Sequence, residues 1–162
     1  MRQRRSGCPI NLTLETFGDR WSLIILRDTM FGGRPRSFRS LLTESLEGIA
    51  SNILSDRLKR LTANGLLSRS ADPHHKQRVV YSLTGKAIEL VPLMAIMGSW
   101  GIRHAMPSEA LSVRAQVLEE GGPELWETFM AELRHVHLGD PAPKVSALAR
   151  MQEAYEAALV EA

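Results

Sequence analysis

The chain has 162 residues, 44% of them hydrophobic, which suffices for one buried core and a small additional unit. Its single cysteine, Cys8, excludes a disulfide scaffold within one chain, and its N-terminus lacks the apolar stretch of a secretory signal, so we expect a cytoplasmic protein. Residues 1–104 carry 16 Lys and Arg against 8 Asp and Glu, whereas residues 105–162 carry 4 against 10, so only the first part would attract a polyanion.

Two helices are predicted at the start of the chain. The first follows Pro9, which suits a first helical turn, and ends at Gly18. The second begins after Asp19, a residue that favours the N-cap position, and runs to about Met30. Its central residues are too apolar for a free surface, so we expect a core helix.

A short helix, a turn and a longer helix are predicted next. Ser37 can cap the short helix, and the residues SLEG form the turn after it. In the longer helix, Leu54, Leu58 and Leu61 recur at three- and four-residue spacing, which stacks them on one face. Gly65 suits the C-terminal cap of that helix.

Two short strands, Leu67 to Ser70 and Val79 to Leu83, are predicted around the turn-rich sequence DPHHKQR. The order of two helices joined by a tight turn and followed by a hairpin predicts a winged helix-turn-helix. The fold class is therefore mainly α with a small β-hairpin.

A further helix is predicted from Thr84 to His104, and it is apolar nearly all round. Its most apolar run, residues 90–100, is too short to span a bilayer and contains Pro92 and Gly98, so we expect no membrane partner. Such a helix needs covering on several sides, which we expect the domain core and a second subunit to provide. Residues 105–162 are predicted to form an extension of two or three amphipathic helices, separated by GGP and GDPAP.

Four segments in a fixed order carry a resemblance to a known family. They are CPINLTLETFGDRWSLIILRD at Cys8 to Asp28, FRSLL at Phe38 to Leu42, GIASNILSDRLKRLTANGLLSR at Gly48 to Arg69, and VVYSLTGKAIEL at Val79 to Leu90. In these segments the chain resembles the HxlR-type family of bacterial winged helix-turn-helix transcription regulators. The resemblance implies a homodimer on double-stranded DNA, whose helix after Gly48 enters the major groove and whose hairpin touches the flanking backbone.

On this reading, residues 1–104 form the winged helix-turn-helix DNA-binding domain, which includes a dimerisation helix at 84–104, and residues 105–162 form the C-terminal extension. A two-fold axis would place two recognition helices about 34 Å apart, so the operator should be a pseudo-palindrome. We expect a repressor, and a small-molecule effector remains an open alternative. Ala50 stands where the family often has a serine, so we expect Ser51 to cap the recognition helix.

The candidate DNA contacts fall into two groups. Short polar side chains early in the recognition helix can reach base edges, and an asparagine can pair with adenine through two bonds. Basic and polar side chains of the hairpin turn and of the preceding helix suit phosphate contacts, which position a protein without reading sequence. The alternative for both groups is a solvated surface. The residues are Ser51, Asn52, Ser55 and Lys59 on the helix, His75, Lys76, Gln77 and Arg78 on the hairpin, and Arg34, Arg36 and Arg39 before them.

Arg57 has two readings, since it either reaches phosphate or braces the fold. An enzyme is not expected, because the sequence has no HExxH, GxSxG or glycine-rich phosphate loop, and we predict neither cofactor nor metal. His135 and His137 are about 200° apart on a helix, so one face cannot present both to an ion.

Two alternatives to a simple regulator remain open. Some relatives use an N-terminal cysteine before this proline as a thiol sensor, and Cys8 with nearby Arg2, Arg4 and Arg5 fits that role, since positive charge favours the reactive thiolate. The other alternative is a winged-helix module that binds proteins and has lost DNA binding.

Overall fold

The computed structural model describes residues 6–161, apart from the side chains of Lys76 and Glu161. The helices are α1 (Pro9–Phe17), α2 (Arg20–Phe31), α3 (Phe38–Thr43), α4 (Ser51–Ala63), α5 (Gly85–Ile88), α6 (Val91–His104), α7 (Glu109–Leu138) and α8 (Ala147–Glu161). The strands are β1 (Arg36–Ser37), β2 (Leu67–Asp72) and β3 (His75–Leu83). The predicted fold class, mainly α with a small hairpin, is confirmed. The chain divides into two compact units, one ending at Thr84 and the other beginning at Gly85.

The helix caps of the first unit follow the sequence at all but one position. The Asp19 carboxylate caps α2 by accepting from the backbone N–H of Ser22 at 3.1 Å, and Ser37 forms a capping box with Ser40. The prediction that Ser51 caps α4 is wrong. Ser51 is the first helical residue, and Ala50, in extended conformation with φ −70° and ψ 143°, holds the cap position with a methyl group that cannot accept a hydrogen bond.

The sheet has three antiparallel strands in the order β1-β3-β2, one more than predicted. Strand β1 has two residues, too few to give a periodic signal in the sequence, and it forms because Arg36 and Ser37 pair with Tyr81 and Val80 of β3.

The hairpin turn is shorter than predicted. Asp72 pairs with His75, so the reversal contains only Pro73 and His74. The Asp72 carboxylate accepts from the backbone N–H of His74 at 2.9 Å, a bond that also holds the pKa of Asp72 below its usual value. His75, Lys76, Gln77 and Arg78 are therefore the first residues of β3, so their predicted place in the turn is wrong. His75 pairs with Asp72, and the register shifts before the next pair, Ala71 with Val79.

The predicted leucine stripe of α4 is the centre of the first core. Leu54, Leu58 and Leu61 are fully buried, as are Leu26 and Met30 of α2. Burying a leucine side chain contributes about 1.5 to 3 kcal/mol, so this face fixes which side of α4 is turned outward. Gly65, with φ +71°, ends the helix as predicted, and the backbone N–H of Leu66 donates to the Leu61 carbonyl at 2.9 Å.

In the second unit the single helix predicted from Thr84 to His104 is in fact two, α5 and α6. Pro92 has no N–H to donate and its ring clashes with the carbonyl of Ile88, four residues earlier, which accounts for the break between α5 and α6. Residues 85–104 group with the C-terminal helices, although the functional boundary at residue 104 stays a prediction.

Helix α7 packs against both α6 and α8. It bends at Gly122, which has φ 56° and ψ −157° and precedes Pro123, and it ends at Gly139 in the left-handed conformation with φ 83°. Both breaks were predicted from the GGP and GDPAP sequences. None of the described helices combines the length and the apolar character needed to cross a membrane.

The contact between α6 and α7 is close. A Cβ added to Gly98 of α6 would lie 2.8 Å from the Cβ of Ala115 of α7, so only glycine allows this approach. Val91, Ala95 and Ser99 are buried on the same helix. The extension therefore covers one side of α6.

Candidate nucleic-acid interface

The outward face of α4 carries the predicted base-reading residues. Ser51, Asn52 and Lys59 are exposed and Ser55 is half-buried, on the side of the helix away from the leucine stripe. Because the stripe is anchored in the core, these side chains are presented on a rigid helix rather than on a loop. A helix of this kind fits the major groove of B-DNA, where short polar groups reach base edges.

The hairpin and the start of α3 together form an open groove. Its lining includes three arginines and a histidine around apolar residues: Ser37, Phe38, Arg39, Arg69, His75, Gln77, Arg78, Val79 and Tyr81. Arg39 and Arg69 are exposed, and among the described residues neither has a carboxylate partner within ion-pair distance. The groove is therefore a cationic surface suited to phosphate.

Arg69 of this groove was not among the residues predicted from sequence. It follows an exposed serine on β2, so the alternation of buried and exposed positions gives no signal for it. Arg69 reaches the groove because it pairs with Tyr81 of the neighbouring strand, which also lines the groove. Such pairing is visible only once the register of the hairpin is known.

The preceding arginines differ from one another in the structure. The Arg36 side chain is only 7% exposed, and its Nη2 donates to Glu44 at 2.7 Å. Strand β1 directs this side chain inward, so Arg36 has little surface to offer a phosphate and we leave it out of the proposed interface. Arg34, 62% exposed, lies 3.4 Å from the same glutamate, and Arg39 is the member of this group that lines the groove.

The structure shows bracing contacts for Arg57, and a phosphate contact for this residue stays a prediction. Its Nε donates to the Asp19 carboxylate at 2.7 Å, and its Nη1 pairs with Asp56. The hydrogen bond that Arg57 donates to Asp19 raises the pKa of Arg57, so the guanidinium is held as a structural cation. Burial alone would raise the pKa of Asp19, but the bonds from Ser22 and Arg57 outweigh burial and lower it.

The turn before α4 is held by a second ion pair. Arg27 of α2 makes a two-pronged contact with Glu47, with both N–O distances at 2.7 Å. This contact lowers the pKa of Glu47 and raises that of Arg27. The tight turn that sets the direction of α4 is thus tied to the core helix. Residues 27 and 47 are too far apart in the chain for a local pattern to predict this contact.

The remaining candidate residues are Cys8, the arginines before it, and Lys76. Cys8 is exposed and directly precedes α1, while Arg2, Arg4 and Arg5 lie outside the described residues. The Lys76 side chain is likewise not described. Within residues 6–161, no group of three or more His, Cys, Asp or Glu side chains is placed to hold a metal ion.

Comparisons with known proteins agree with this geometry. The model of the HxlR-like helix-turn-helix family matches residues 16–109. The uncharacterised HTH-type transcriptional regulator sll1512 of Synechocystis is 32% identical over 94 residues, which cover 58% of this chain and 67% of that protein.

Two solved structures are similar to the chain. PA1607, a proposed transcription factor, superposes with a TM-score of 0.57 at 31% identity and covers 65% of this chain and 71% of its own. The reduced form of the transcriptional regulator YodB from Bacillus subtilis superposes with a TM-score of 0.51 at 28% identity, covering 64% of this chain and 100% of its own. These relatives are transcription regulators rather than enzymes. The chain belongs to the HxlR-like helix-turn-helix family of DNA-binding transcriptional regulators.

Proposed function

We propose that the protein is a homodimeric repressor that reads a pseudo-palindromic operator with α4 and holds the flanking phosphates with the groove of α3 and the hairpin. The observation that carries this proposal is the exposed polar face of α4, with Ser51, Asn52, Ser55 and Lys59 turned away from the buried leucines. His75, Gln77 and Arg78 on β3, together with Lys76, supply the general attraction. The protein acts in the cytoplasm, where a bacterial chromosome lies.

Two exposed apolar surfaces support the homodimer. On α6, Leu93, Ile96, Met97 and Trp100 are between 37% and 59% exposed and recur at helical spacing along one stripe. On α1, Ile10 and Leu14 are 72% and 56% exposed, one turn apart. We assign these surfaces to contact with a second copy of the chain. A self-complementary contact gives the two-fold symmetry that the two half-sites of the proposed operator need.

The dimer is tested by changing the centre of the α6 stripe. We expect the native protein to sediment as a dimer at micromolar concentration and Trp100→Glu to sediment as a monomer, because the change buries an unpaired charge at the interface. Met106→Glu is the matched control, since Met106 is 97% exposed but follows the helix rather than lying on the stripe. Native protein that sediments only as a monomer would refute the homodimer.

The DNA contacts of α4 and the groove are enough for repression. Occupying a promoter needs only DNA contacts, which α4 and the groove supply, whereas activation needs an additional surface for RNA polymerase. An effector that relieves repression would act by favouring a dimer geometry that no longer fits the two half-sites. In vitro transcription from the operator-bearing promoter tests the direction of control: added protein should lower transcript yield.

Thiol control through Cys8 is the second candidate, favoured by the exposure of this side chain at the start of α1. Hydrogen peroxide oxidises a thiolate to a sulfenic acid, which can condense with a second thiol to form a disulfide. With one cysteine in the chain, that thiol must come from the other subunit or from a small molecule. We expect peroxide to weaken operator binding by the native protein but not by Cys8→Ala, and reductant to restore it. An equal loss in both proteins would dismiss Cys8 as a sensor.

A further inference from the structure

One face of α4 is used neither for the leucine core nor for the proposed DNA contacts. Arg57 and Arg60 of α4 and Asn64, its C-cap residue, follow one another at spacings of three and four residues, which places them on the same side of the helix. All three side chains bond to the corner where α1 ends and α2 begins, at residues 15–19. We call these three side chains the latch.

The charged part of the latch meets Asp19. The Arg57 Nε donates to one carboxylate oxygen at 2.7 Å, and the Arg60 Nη1 lies 3.7 Å from the other. The same carboxylate caps α2, so one side chain holds the N-terminus of α2 and the middle of α4 together.

The remaining part of the latch completes α1. The last carbonyl groups of a helix have no partner within it. Here the Arg60 Nη2 donates to the Glu15 carbonyl at 2.7 Å, and the Asn64 Nδ2 donates to the Thr16 carbonyl at 2.9 Å. The end of α1 is therefore capped by side chains of α4 and of its C-cap residue.

The corner itself leaves little room for adjustment. A Cβ added at Gly18 would lie 2.6 Å from the Leu14 Cα, so the chain turns there with glycine packed directly against the α1 backbone. The corner is therefore close-packed, and one hydrogen bond from each latch side chain ties it to α4.

We propose that the latch is a set of positioning residues that fixes the recognition helix relative to α1 and so makes the protein selective for the spacing between the two half-sites. The inference rests on the proposed function, because spacing has meaning only for a dimer that reads two half-sites. Helix α1 carries Ile10 and Leu14, which we assign to the contact between subunits, so the latch links the dimer contact to the DNA-reading face within each subunit.

The test uses a duplex that the native full-length protein selects from a random-sequence pool, and versions of it with one base pair added or removed between the half-sites. Dissociation constants are measured at several salt concentrations for the native protein, Asn64→Ala and Arg60→Met. Arg150→Met is the matched control, because it removes an exposed arginine of α8 whose side chain makes no hydrogen bond or ion pair with the described residues. Thermal unfolding shows which variants are folded. If Arg60→Met does not fold, Asn64→Ala, which removes no charge, tests the proposal alone.

We expect the ratio of affinities for the native and altered spacings to fall about 2- to 30-fold in the latch variants, the range typical of mutations that weaken coupling between sites. Affinity for a random duplex and the salt slope should stay as in the native protein, and Arg150→Met should match it throughout. A latch variant with native spacing selectivity would overturn the proposal, as would a flatter salt slope for Arg60→Met, which would make Arg60 a phosphate contact. Native protein that ignores the spacing would instead refute the homodimer on two half-sites.

Discussion

Asp19→Ala is expected to lower the free energy of unfolding of the first unit by about 2 to 4 kcal/mol, since it removes a helix cap and leaves an arginine without its carboxylate. The Asp19 side chain accepts from the backbone N–H of Ser22 at 3.1 Å, from the Ser22 hydroxyl at 2.6 Å and from the Arg57 Nε at 2.7 Å. Chemical denaturation followed by circular dichroism measures the change. A loss below about 0.5 kcal/mol, the size of an ordinary surface substitution, would contradict this account of the corner.

Asp19→Asn separates the two contributions, because asparagine caps a helix as well as aspartate does but carries no charge. It should lose the ion pair alone, so its free energy of unfolding should lie between those of the native protein and Asp19→Ala.

The pKa of Asp19 is lowered in the folded state from its usual 3.8. Its charge therefore stabilises the fold above pH 3.8, and this contribution is lost as the pH falls through the folded pKa. The stability difference between native protein and Asp19→Asn should accordingly shrink below about pH 4.

Asn52→Ala is expected to weaken operator binding by about 1 to 3 kcal/mol, the usual cost of a lost base contact, and to relax the choice of base at one position. Ser55→Ala should act in the same way but less, because Ser55 is half-buried.

Arg69→Ala should weaken binding to every sequence and lower the salt slope by about one, as loss of a phosphate contact does. We expect the same of Lys76→Ala and Arg78→Ala.

The elements of the first unit could be predicted because their signals are local. The leucine stripe of α4, the caps Asp19 and Ser37, and Gly65 each depend on residues a few positions apart, and all four are where the sequence puts them. Ser51 shows the limit of such reasoning. A serine next to the helix start favours a cap, but the conformation of residue 50 decides which residue holds that position.

The site could be predicted only in part, because side-chain roles depend on contacts distant in sequence. Arg36 and Arg39 look alike in the chain, but pairing with β3 turns the first towards Glu44 and leaves the second in the groove. Arg57 meets Asp19 across 38 residues, and Arg69 joins the groove through a strand register. The break between α5 and α6 is different, since its cause, Pro92, is visible in the sequence and acts on the turn just before it.

The central claim is that α4 reads sequence while the groove supplies general attraction. It is tested most directly by measuring dissociation constants for operator and random duplex over a range of salt concentrations. The proteins compared are the native protein, Asn52→Ala and Arg69→Ala. Asn52→Ala should lose affinity for operator more than for random DNA and keep the native salt slope. Arg69→Ala should lose affinity for both duplexes and show a slope flatter by about one. If both variants bind both duplexes as the native protein does, α4 and the groove do not contact DNA as described, and a protein partner for this surface becomes the better interpretation.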